Sequence, residues 1–159
     1  MLMIVLFLLL SPAANAQGEA ITGKLQHGRV LSKSKKPYSY AELFSKYQIV
    51  IFARVGDCST CLSADAPWIQ MIRTKLIATC FVFADRSLRV ARYYHEINSL
   101  PFDFYCDTGA DASQLLGEME TPVILVLNRE GREVFFANPL KEMQKLSSVL
   151  GPDGFNKSR

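Results

Sequence analysis

The sequence predicts an α/β fold in which a mixed central β-sheet is flanked by helices on both faces. Short apolar runs alternate with helix-competent stretches through the middle of the chain, which is typical of strand–helix–strand units. Near the C-terminal end, apolar runs over 123–127 and 133–137 are separated by the hairpin turn signal Asn-Arg-Glu-Gly at 128–131. The predicted sheet therefore combines parallel strands with an antiparallel hairpin, and a final helix follows it.

The first elements can be placed in order along the chain. Ser39 is expected to cap a short helix over 40–47, because its hydroxyl can accept a hydrogen bond from the first turn. A buried strand is predicted over 49–55, and a helix over 59–76 follows it. Pro67 is expected to kink this helix, because proline has no N–H to donate and its ring collides with the preceding turn.

The later elements continue the alternation. Strands are predicted over 80–84 and 102–106, and helices over 89–97, 110–116 and 139–150, in addition to the hairpin strands. No repeat or linker divides these elements, so residues 38–151 are expected to form one domain. Residues 152–159 are expected to be a frayed tail.

The N-terminus has the pattern of an exported protein. Leu2 to Leu10 are nine consecutive apolar residues, and the small residues Ala14 and Ala16 follow them. This is the pattern of a secretory signal peptide over residues 1–16 with cleavage after Ala16. The run is shorter than the roughly 20 residues that a transmembrane helix needs. We therefore expect a periplasmic or secreted protein.

Charge and composition limit the classes of partner. The formal net charge is only +3, which does not indicate a nucleic-acid partner. The basic residues cluster early, within residues 17–37, among glycines and serines. We interpret this segment as a solvated basic N-terminal arm, and we do not expect it to contact a membrane.

The motif Cys58-Ser59-Thr60-Cys61 follows the apolar run 49–53 directly and carries the candidate chemistry. At the start of the predicted helix, unpaired N–H groups and the helix dipole would favour a thiolate at Cys58. The thiolate is the nucleophile of thiol–disulfide exchange, so the placement indicates redox chemistry without a cofactor. A structural disulfide stays open as an alternative.

A zinc site is not expected, because zinc requires a second pair of ligands. The remaining candidates, Cys80, Cys106, His27 and His95, are not spaced as a pair. Cys80 begins one predicted parallel strand and Cys106 ends another, an offset of roughly 13 Å along the strands. A disulfide needs Cα atoms within about 7 Å, so a bond between these two cysteines is not expected.

These motifs resemble the thioredoxin-like superfamily, in particular its exported, periplasmic-type thiol–disulfide oxidoreductases, and more remotely the peroxiredoxins. The resemblance covers about residues 38–150. It rests on the segments 40–43 and 100–102, on Cys-x-x-Cys, on Asp107, and on Thr121-Pro122 ahead of a strand. It implies that Pro122 is cis and packs beside a Cys58–Cys61 disulfide. It also implies that Thr121 and Pro122 hold the chain of the substrate.

Two positions depart from the pattern of this family. Asp57 stands where the family usually places Trp, and its carboxylate would oppose a thiolate at Cys58. The hydroxyls of Ser59 and Thr60 would favour that thiolate by hydrogen bonding. Phe52 occupies the position of the buried acid that many thioredoxins carry. Efficient proton transfer therefore needs another group.

The function implied by the resemblance is an exported thiol–disulfide oxidoreductase. Cys58 would attack a disulfide of a partner protein, and Cys61 would resolve the mixed disulfide. The expected partners are protein thiols and disulfides, including an unidentified redox partner. Two alternatives stay open: a non-catalytic binding module with a structural Cys58–Cys61 disulfide, and a peroxiredoxin-like peroxidase. Against the peroxidase, Val55 stands where peroxiredoxins carry Thr.

Overall fold

Apolar runs form one seven-stranded sheet within the residues that the computed structural model describes, 20–152. The elements are α1 (Ile21–Leu25), β1 (Arg29–Ser32), β2 (Pro37–Ser39), α2 (Tyr40–Lys46), β3 (Ile49–Ala53), α3 (Pro67–Thr74), β4 (Thr79–Phe83), α4 (Leu88–Ile97), β5 (Asp103–Cys106), α5 (Asp111–Leu116), β6 (Val123–Leu127), β7 (Glu133–Ala137) and α6 (Met143–Val149). Both strands of the predicted hairpin, β6 and β7, have the expected bounds.

The sheet is mixed, as predicted. Its strand order is β2-β1-β5-β4-β3-β6-β7. The strands β3, β4 and β5 are parallel to one another, whereas β1, β6 and β7 run antiparallel to their neighbours. Ala53 lies opposite Phe83, which in turn lies opposite Cys106. The carboxyl ends of β3, β4 and β5 therefore share one edge of the sheet, where α/β proteins place their sites.

The central strand β3 is buried on both faces, and its side chains alternate between two apolar layers. Ile49, Ile51 and Ala53 pack in one layer with side chains of α3, α4 and α6. Val50 and Phe52 pack in the other layer with side chains of α1, α2 and α5. Burial of this kind contributes about 25 cal/mol per Å² of apolar surface, which explains why β3 is a continuous apolar run.

The predicted cap of α2 is confirmed. The Glu42 N–H donates to Ser39 Oγ over 3.2 Å, and the Ser39 N–H donates to Glu42 Oε2 over 2.7 Å. This reciprocal arrangement is a capping box, which satisfies two N–H groups that the first turn would otherwise leave without partners. It fixes the start of α2 immediately after β2.

The segment interpreted as a basic N-terminal arm is different in the structure. From residue 20 onward it forms α1 and the β1–β2 hairpin, and Leu31 of β1 lies opposite Cys106 of β5. Leu25 and Val30 are buried, whereas the lysines of the hairpin turn are exposed. The expectation of a solvated arm was therefore wrong for residues 20–37, where Leu25 and Val30 are buried in the core and β1 pairs with β5.

The helix predicted over 59–76 is shorter than expected, because α3 begins only at Pro67. Ala66 is extended, with φ −58° and ψ 131°, as is usual for a residue that precedes proline. Proline is well tolerated at the first helical position, so Pro67 starts the helix and does not kink it. The last helix is also shorter than the predicted 139–150, since α6 begins at Met143.

The predicted signal peptide, residues 1–16, and residues 153–159 of the predicted tail lie outside the described residues. Between residues 20 and 152, no helix combines the length and the apolar character that crossing a membrane requires.

Candidate functional site

The Cys58–Cys61 pair lies in the loop that leaves the carboxyl end of β3. The two residues form a disulfide, and their Cα atoms are 5.1 Å apart. Cys58 is exposed and Cys61 is half-buried. The Cys58 carbonyl accepts hydrogen bonds from the N–H groups of Cys61, over 2.9 Å, and Leu62, over 3.1 Å. The motif is thus one hydrogen-bonded turn that ends before α3.

This geometry corrects the predicted electrostatics of Cys58. The dipole of a helix acts only within its first turn, and α3 begins at Pro67. The helix-dipole stabilisation that we expected for a Cys58 thiolate is therefore wrong. The expected contact of the Thr60 hydroxyl with Cys58 is present, since Thr60 Oγ1 lies 3.0 Å from Cys58 Sγ. A hydroxyl at this distance can donate to the sulfur when the disulfide is reduced.

Trp68 positions the inner cysteine. Its indole is fully buried, and Nε1 donates to the Cys61 carbonyl over 2.9 Å. A buried indole N–H needs an acceptor, so this bond places Cys61 against the apolar layer that contains Trp68. The two cysteines therefore differ in exposure, with Cys58 the more exposed residue.

Asp57, the residue before Cys58, is held by three different parts of the fold. Its Oδ2 accepts from the Arg54 N–H over 2.8 Å. Its Oδ1 accepts from the Thr121 hydroxyl over 2.6 Å. Its carbonyl accepts from the Tyr94 hydroxyl, on α4, over 2.6 Å. The position that departs most from the thioredoxin pattern is therefore a hydrogen-bonding centre of the loop.

The Thr121–Pro122 peptide bond is cis, which confirms what the resemblance implied. Pro122 is buried ahead of β6, and the Thr121–Asp57 hydrogen bond brings this loop against the residue before Cys58. The Arg54 guanidinium adds a second link, because it donates to the carbonyls of Gly117, over 2.7 Å, and Met119, over 3.3 Å. The structure thus joins the Cys58 loop to the loop that contains Thr121.

Asp85 follows β4 at the same edge of the sheet. Its Oδ2 accepts from the Val55 N–H over 2.6 Å. Burial raises the pKa of this carboxyl and the negative charge of Asp57 raises it further, whereas the Val55 hydrogen bond and the Arg54 charge oppose the rise. Asp85 thus stabilises the backbone of the loop between β3 and Cys58.

The other two cysteines are free thiols inside the protein. Cys80 lies opposite Asp103 and Cys106 lies opposite Phe83, so the register keeps the two apart, as predicted. Cys106 Sγ donates to the Asp85 carbonyl over 2.8 Å. Burial raises the pKa of Cys106 to about 12, and the charges of Asp85 and Asp107 contribute. Burial likewise raises the pKa of Cys80. In both cysteines burial therefore favours the protonated thiol.

The histidines do not join the site. His95 Nε2 lies 2.8 Å from the Phe102 carbonyl, and burial lowers the pKa of this imidazole. His27 is exposed and its Nε2 lies 3.0 Å from the Gln26 side chain. Over residues 20–152, no group of three or more His, Cys, Asp or Glu side chains is arranged to hold a metal ion.

Sequence reasoning missed the bonds made by Asp57, Arg54 and Tyr94. The hydrogen bonds of Asp57 to Tyr94 and Thr121 span 37 and 64 residues, so no local pattern indicates them. The one available signal was the position of Arg54 and Asp85 at strand ends, which places them at the same edge as Cys58.

Comparison with known proteins identifies the fold. No protein-family model and no curated protein matches the chain. Among solved structures, a thioredoxin-like protein from Porphyromonas gingivalis superposes with a TM-score of 0.60 and 14% identity, covering 82% of this chain and 94% of that chain. A secreted disulfide oxidoreductase of Mycobacterium tuberculosis, homologous to E. coli DsbE, superposes with a TM-score of 0.58 and 15% identity. The match covers 79% of this chain and 97% of that chain. The structure of MTB dsbF superposes with a TM-score of 0.59 and 15% identity, and the match covers 80% of this chain and 97% of that chain.

The chain therefore has a thioredoxin-like fold, as the sequence motifs indicated. Its structural neighbours include thiol–disulfide oxidoreductases, and it carries a Cys-x-x-Cys disulfide at the carboxyl end of β3. At identities this low the likeness establishes the fold alone. What the site does has to be argued from its own residues.

Proposed function

We propose that this chain is an exported thiol–disulfide oxidoreductase that exchanges disulfides with partner proteins through Cys58 and Cys61. The observation that supports it most is the difference in exposure within the pair. Cys58 is open to solvent, whereas Cys61 is half-buried against Trp68. An incoming disulfide can therefore reach Cys58 first, and Cys61 remains close enough to resolve the product.

In the reducing direction, the Cys58 thiolate attacks one sulfur of a partner disulfide. A mixed disulfide forms, and the other partner sulfur leaves as a thiolate. The Cys61 thiolate then attacks the Cys58 sulfur, which restores the Cys58–Cys61 disulfide and releases the second partner thiolate. Two electrons pass to the partner, and the two protons lost by the cysteines balance those that the partner thiolates gain. A dithiol protein of the same compartment would reduce the pair again.

The loop that contains Thr121 and Pro122 is proposed to hold the substrate. It lies against the residue before Cys58, and an extended substrate chain bound there would present its disulfide to the exposed sulfur. The Thr121 hydroxyl is already bonded to Asp57, so the backbone of this loop is the part left to bind a chain. Export follows from the signal-peptide pattern of residues 1–16.

Trapping tests this proposal. In a Cys61→Ser variant the mixed disulfide cannot be resolved, so covalent complexes with partner proteins should accumulate on Cys58. A Cys58→Ser variant is the matched control and should trap none. Equal trapping by the two variants would contradict the assignment of Cys58 as the nucleophile.

A second candidate is a binding module in which the disulfide is only structural. Two observations favour it: the acidic residue Asp57 directly precedes Cys58, and α3 begins too late for its dipole to act on Cys58. The reduction potential discriminates between the two functions, since structural disulfides lie below about −300 mV. Replacing Asp57 by Asn removes a charge that disfavours the thiolate and should raise the potential by about 30 mV. Asp65→Asn, at an exposed position of the same segment, is the control.

A further inference from the structure

Arg54, the first residue after β3, has a backbone that is fixed against the residue before Cys58. The Asp57 N–H donates to the Arg54 carbonyl over 3.1 Å, and the Arg54 N–H donates to Asp57 Oδ2 over 2.8 Å. Both hydrogen-bonding groups of the Arg54 backbone are thus committed to Asp57. The long side chain of Arg54 therefore starts from a point that is held in place relative to the Cys58 loop.

The Arg54 side chain reaches the turn that follows α5. Its Nη2 donates to the Gly117 carbonyl over 2.7 Å, and its Nη1 donates to the Met119 carbonyl over 3.3 Å. Gly117 has φ 49° and ψ −118°, a conformation that favours glycine, and the Met119 N–H donates to the Leu116 carbonyl over 2.7 Å. This turn presents two carbonyls to one guanidinium, whose planar fork of donors suits such a pair.

The segment 117–121 is thereby tied at both ends to the residues that precede Cys58. Arg54 holds the carbonyls of Gly117 and Met119, and Asp57 accepts from the Thr121 hydroxyl over 2.6 Å. Among residues 20–152 no carboxylate forms an ion pair with the Arg54 guanidinium. Its donors hold main-chain carbonyls instead, so Arg54 fixes the backbone that leads into Thr121 and Pro122.

We propose that Arg54 is a positioning residue that makes the Cys58 site favour disulfides within an extended chain over small disulfides. This inference rests on the proposed function, in which the backbone of the Thr121–Pro122 loop binds the substrate chain. A small disulfide needs only to reach the Cys58 sulfur, whereas an extended chain also has to bind that backbone. Because Arg54 orders the loop beforehand, a chain does not have to bear the entropy cost of ordering it.

The test compares two uncharged probes in the Cys61→Ser background, where the mixed disulfide on Cys58 is the end product. Hydroxyethyl disulfide is the small probe, and a disulfide-linked dimer of the blocked peptide Ala-Ala-Cys-Ala-Ala is the chain probe. In each reaction the Cys58 thiolate bonds to one probe sulfur, the S–S bond of the probe breaks, and the other half leaves as a thiolate. Acid quenching and mass spectrometry give the two rate constants. A changed thiolate fraction at Cys58 alters both rates alike, so their ratio reports positioning.

Arg54→Lys keeps the positive charge but loses the planar fork that holds two carbonyls. We expect the ratio of the chain-probe rate to the small-probe rate to fall about fivefold, because charged hydrogen bonds are lost. The half-saturating concentration of the chain probe should rise accordingly. Arg73→Lys, at an exposed position near the end of α3, is the matched control and should keep the ratio of the parent. An unchanged ratio in Arg54→Lys, or an equal fall in Arg73→Lys, would overturn the inference.

Gly117→Ala is a second variant, which serves if Arg54→Lys does not fold. The added Cβ would meet no atom closer than 4.0 Å, so the change acts through the backbone, since alanine rarely adopts a φ of 49°. It should move the Gly117 carbonyl away from Arg54 and lower the same ratio, and an unchanged ratio would count against the inference.

The two proposals fail in different ways. If neither probe forms a mixed disulfide on Cys58 in the Cys61→Ser protein, the proposed function is wrong, and the role of Arg54 falls with it. If both probes react and neither Arg54→Lys nor Gly117→Ala changes the ratio, only the positioning role of Arg54 is wrong.

Discussion

Cys58, in the loop after β3, and Cys106, at the end of β5, both belong to the carboxyl edge of one sheet, yet their surroundings are opposite. Cys58 is exposed, with the Thr60 hydroxyl 3.0 Å from its sulfur. Cys106 is fully buried and donates its proton to the Asp85 carbonyl. Burial and the neighbouring carboxylates raise the pKa of Cys106 to about 12. Position at the carboxyl edge therefore does not make a cysteine reactive; its solvation does.

The comparison predicts its largest effect in chemical labelling after mild reduction. Burial raises the pKa of Cys106 to about 12, so little of it is a thiolate at about pH 8, and the thiolate is the species that reacts. A limiting dose of an alkylating reagent should therefore label Cys58 first and leave Cys106 unmodified until the protein unfolds. Mass spectrometry of the digested protein reads the sites. Labelling of Cys106 or Cys61 ahead of Cys58 would contradict this prediction.

A second prediction concerns alkaline stability. The pKa of Cys106 is higher in the folded protein, about 12, than its ordinary value of 9.0, so deprotonation favours the unfolded chain. Its contribution is complete below about pH 9 and is lost as the pH rises toward 12, and it amounts to at most about 4 kcal/mol. Urea unfolding at several alkaline pH values measures the loss.

The control for this measurement is Cys106→Ser, which keeps a hydrogen-bond donor for the Asp85 carbonyl but does not titrate there. Its free energy of unfolding should fall less steeply with pH than that of the parent. Tyr40, Tyr47 and Cys80 have raised pKa values as well, so some slope should remain. Parallel curves for the two proteins would mean that Cys106 is not the titrating group.

The smallest expected effect concerns the hydrogen bond from Thr121 to Asp57, the residue before Cys58. Thr121→Val removes the hydroxyl that donates to Asp57 and should lower the free energy of unfolding by about 1.5 kcal/mol. It should also change the labelling rate of Cys58 and leave that of Cys106 unchanged. Thr121→Ser keeps the hydroxyl and should behave like the parent protein. A Thr121→Val variant as stable as the parent protein would show that this hydrogen bond contributes nothing measurable.

Local sequence patterns predicted those elements of the fold whose structure depends on residues close together in the chain. The apolar runs of β6 and β7, with the turn between them, indicate a hairpin without further information. Ser39 and Glu42 form the capping box that starts α2. The β1–β2 hairpin was not predicted, because its stability comes from docking on β5, a contact between distant residues.

The candidate site was predicted only in part for the same reason. Cys58, Cys61 and the Thr121–Pro122 loop follow from motifs and from the resemblance. The start of α3 could not be predicted, because a proline such as Pro67 can either interrupt a helix or begin one. In the structure Ala66 is extended, so Pro67 begins the helix. The partners of Asp57 depend on how β6 and α4 pack against β3, and a single sequence carries no signal for them.

The hydrogen bonds of Asp57 to Arg54, Tyr94 and Thr121 have a consequence for the kinetics of association. A free loop loses conformational entropy when a partner fixes it, by about 1–2 kcal/mol for each residue whose backbone is ordered. The loop before Cys58 is already fixed by Arg54, Tyr94 and Thr121 during folding. In the proposed exchange, encounter with a partner disulfide would therefore need little reorganisation of this loop, and the association rate should depend mainly on the flexibility of the partner.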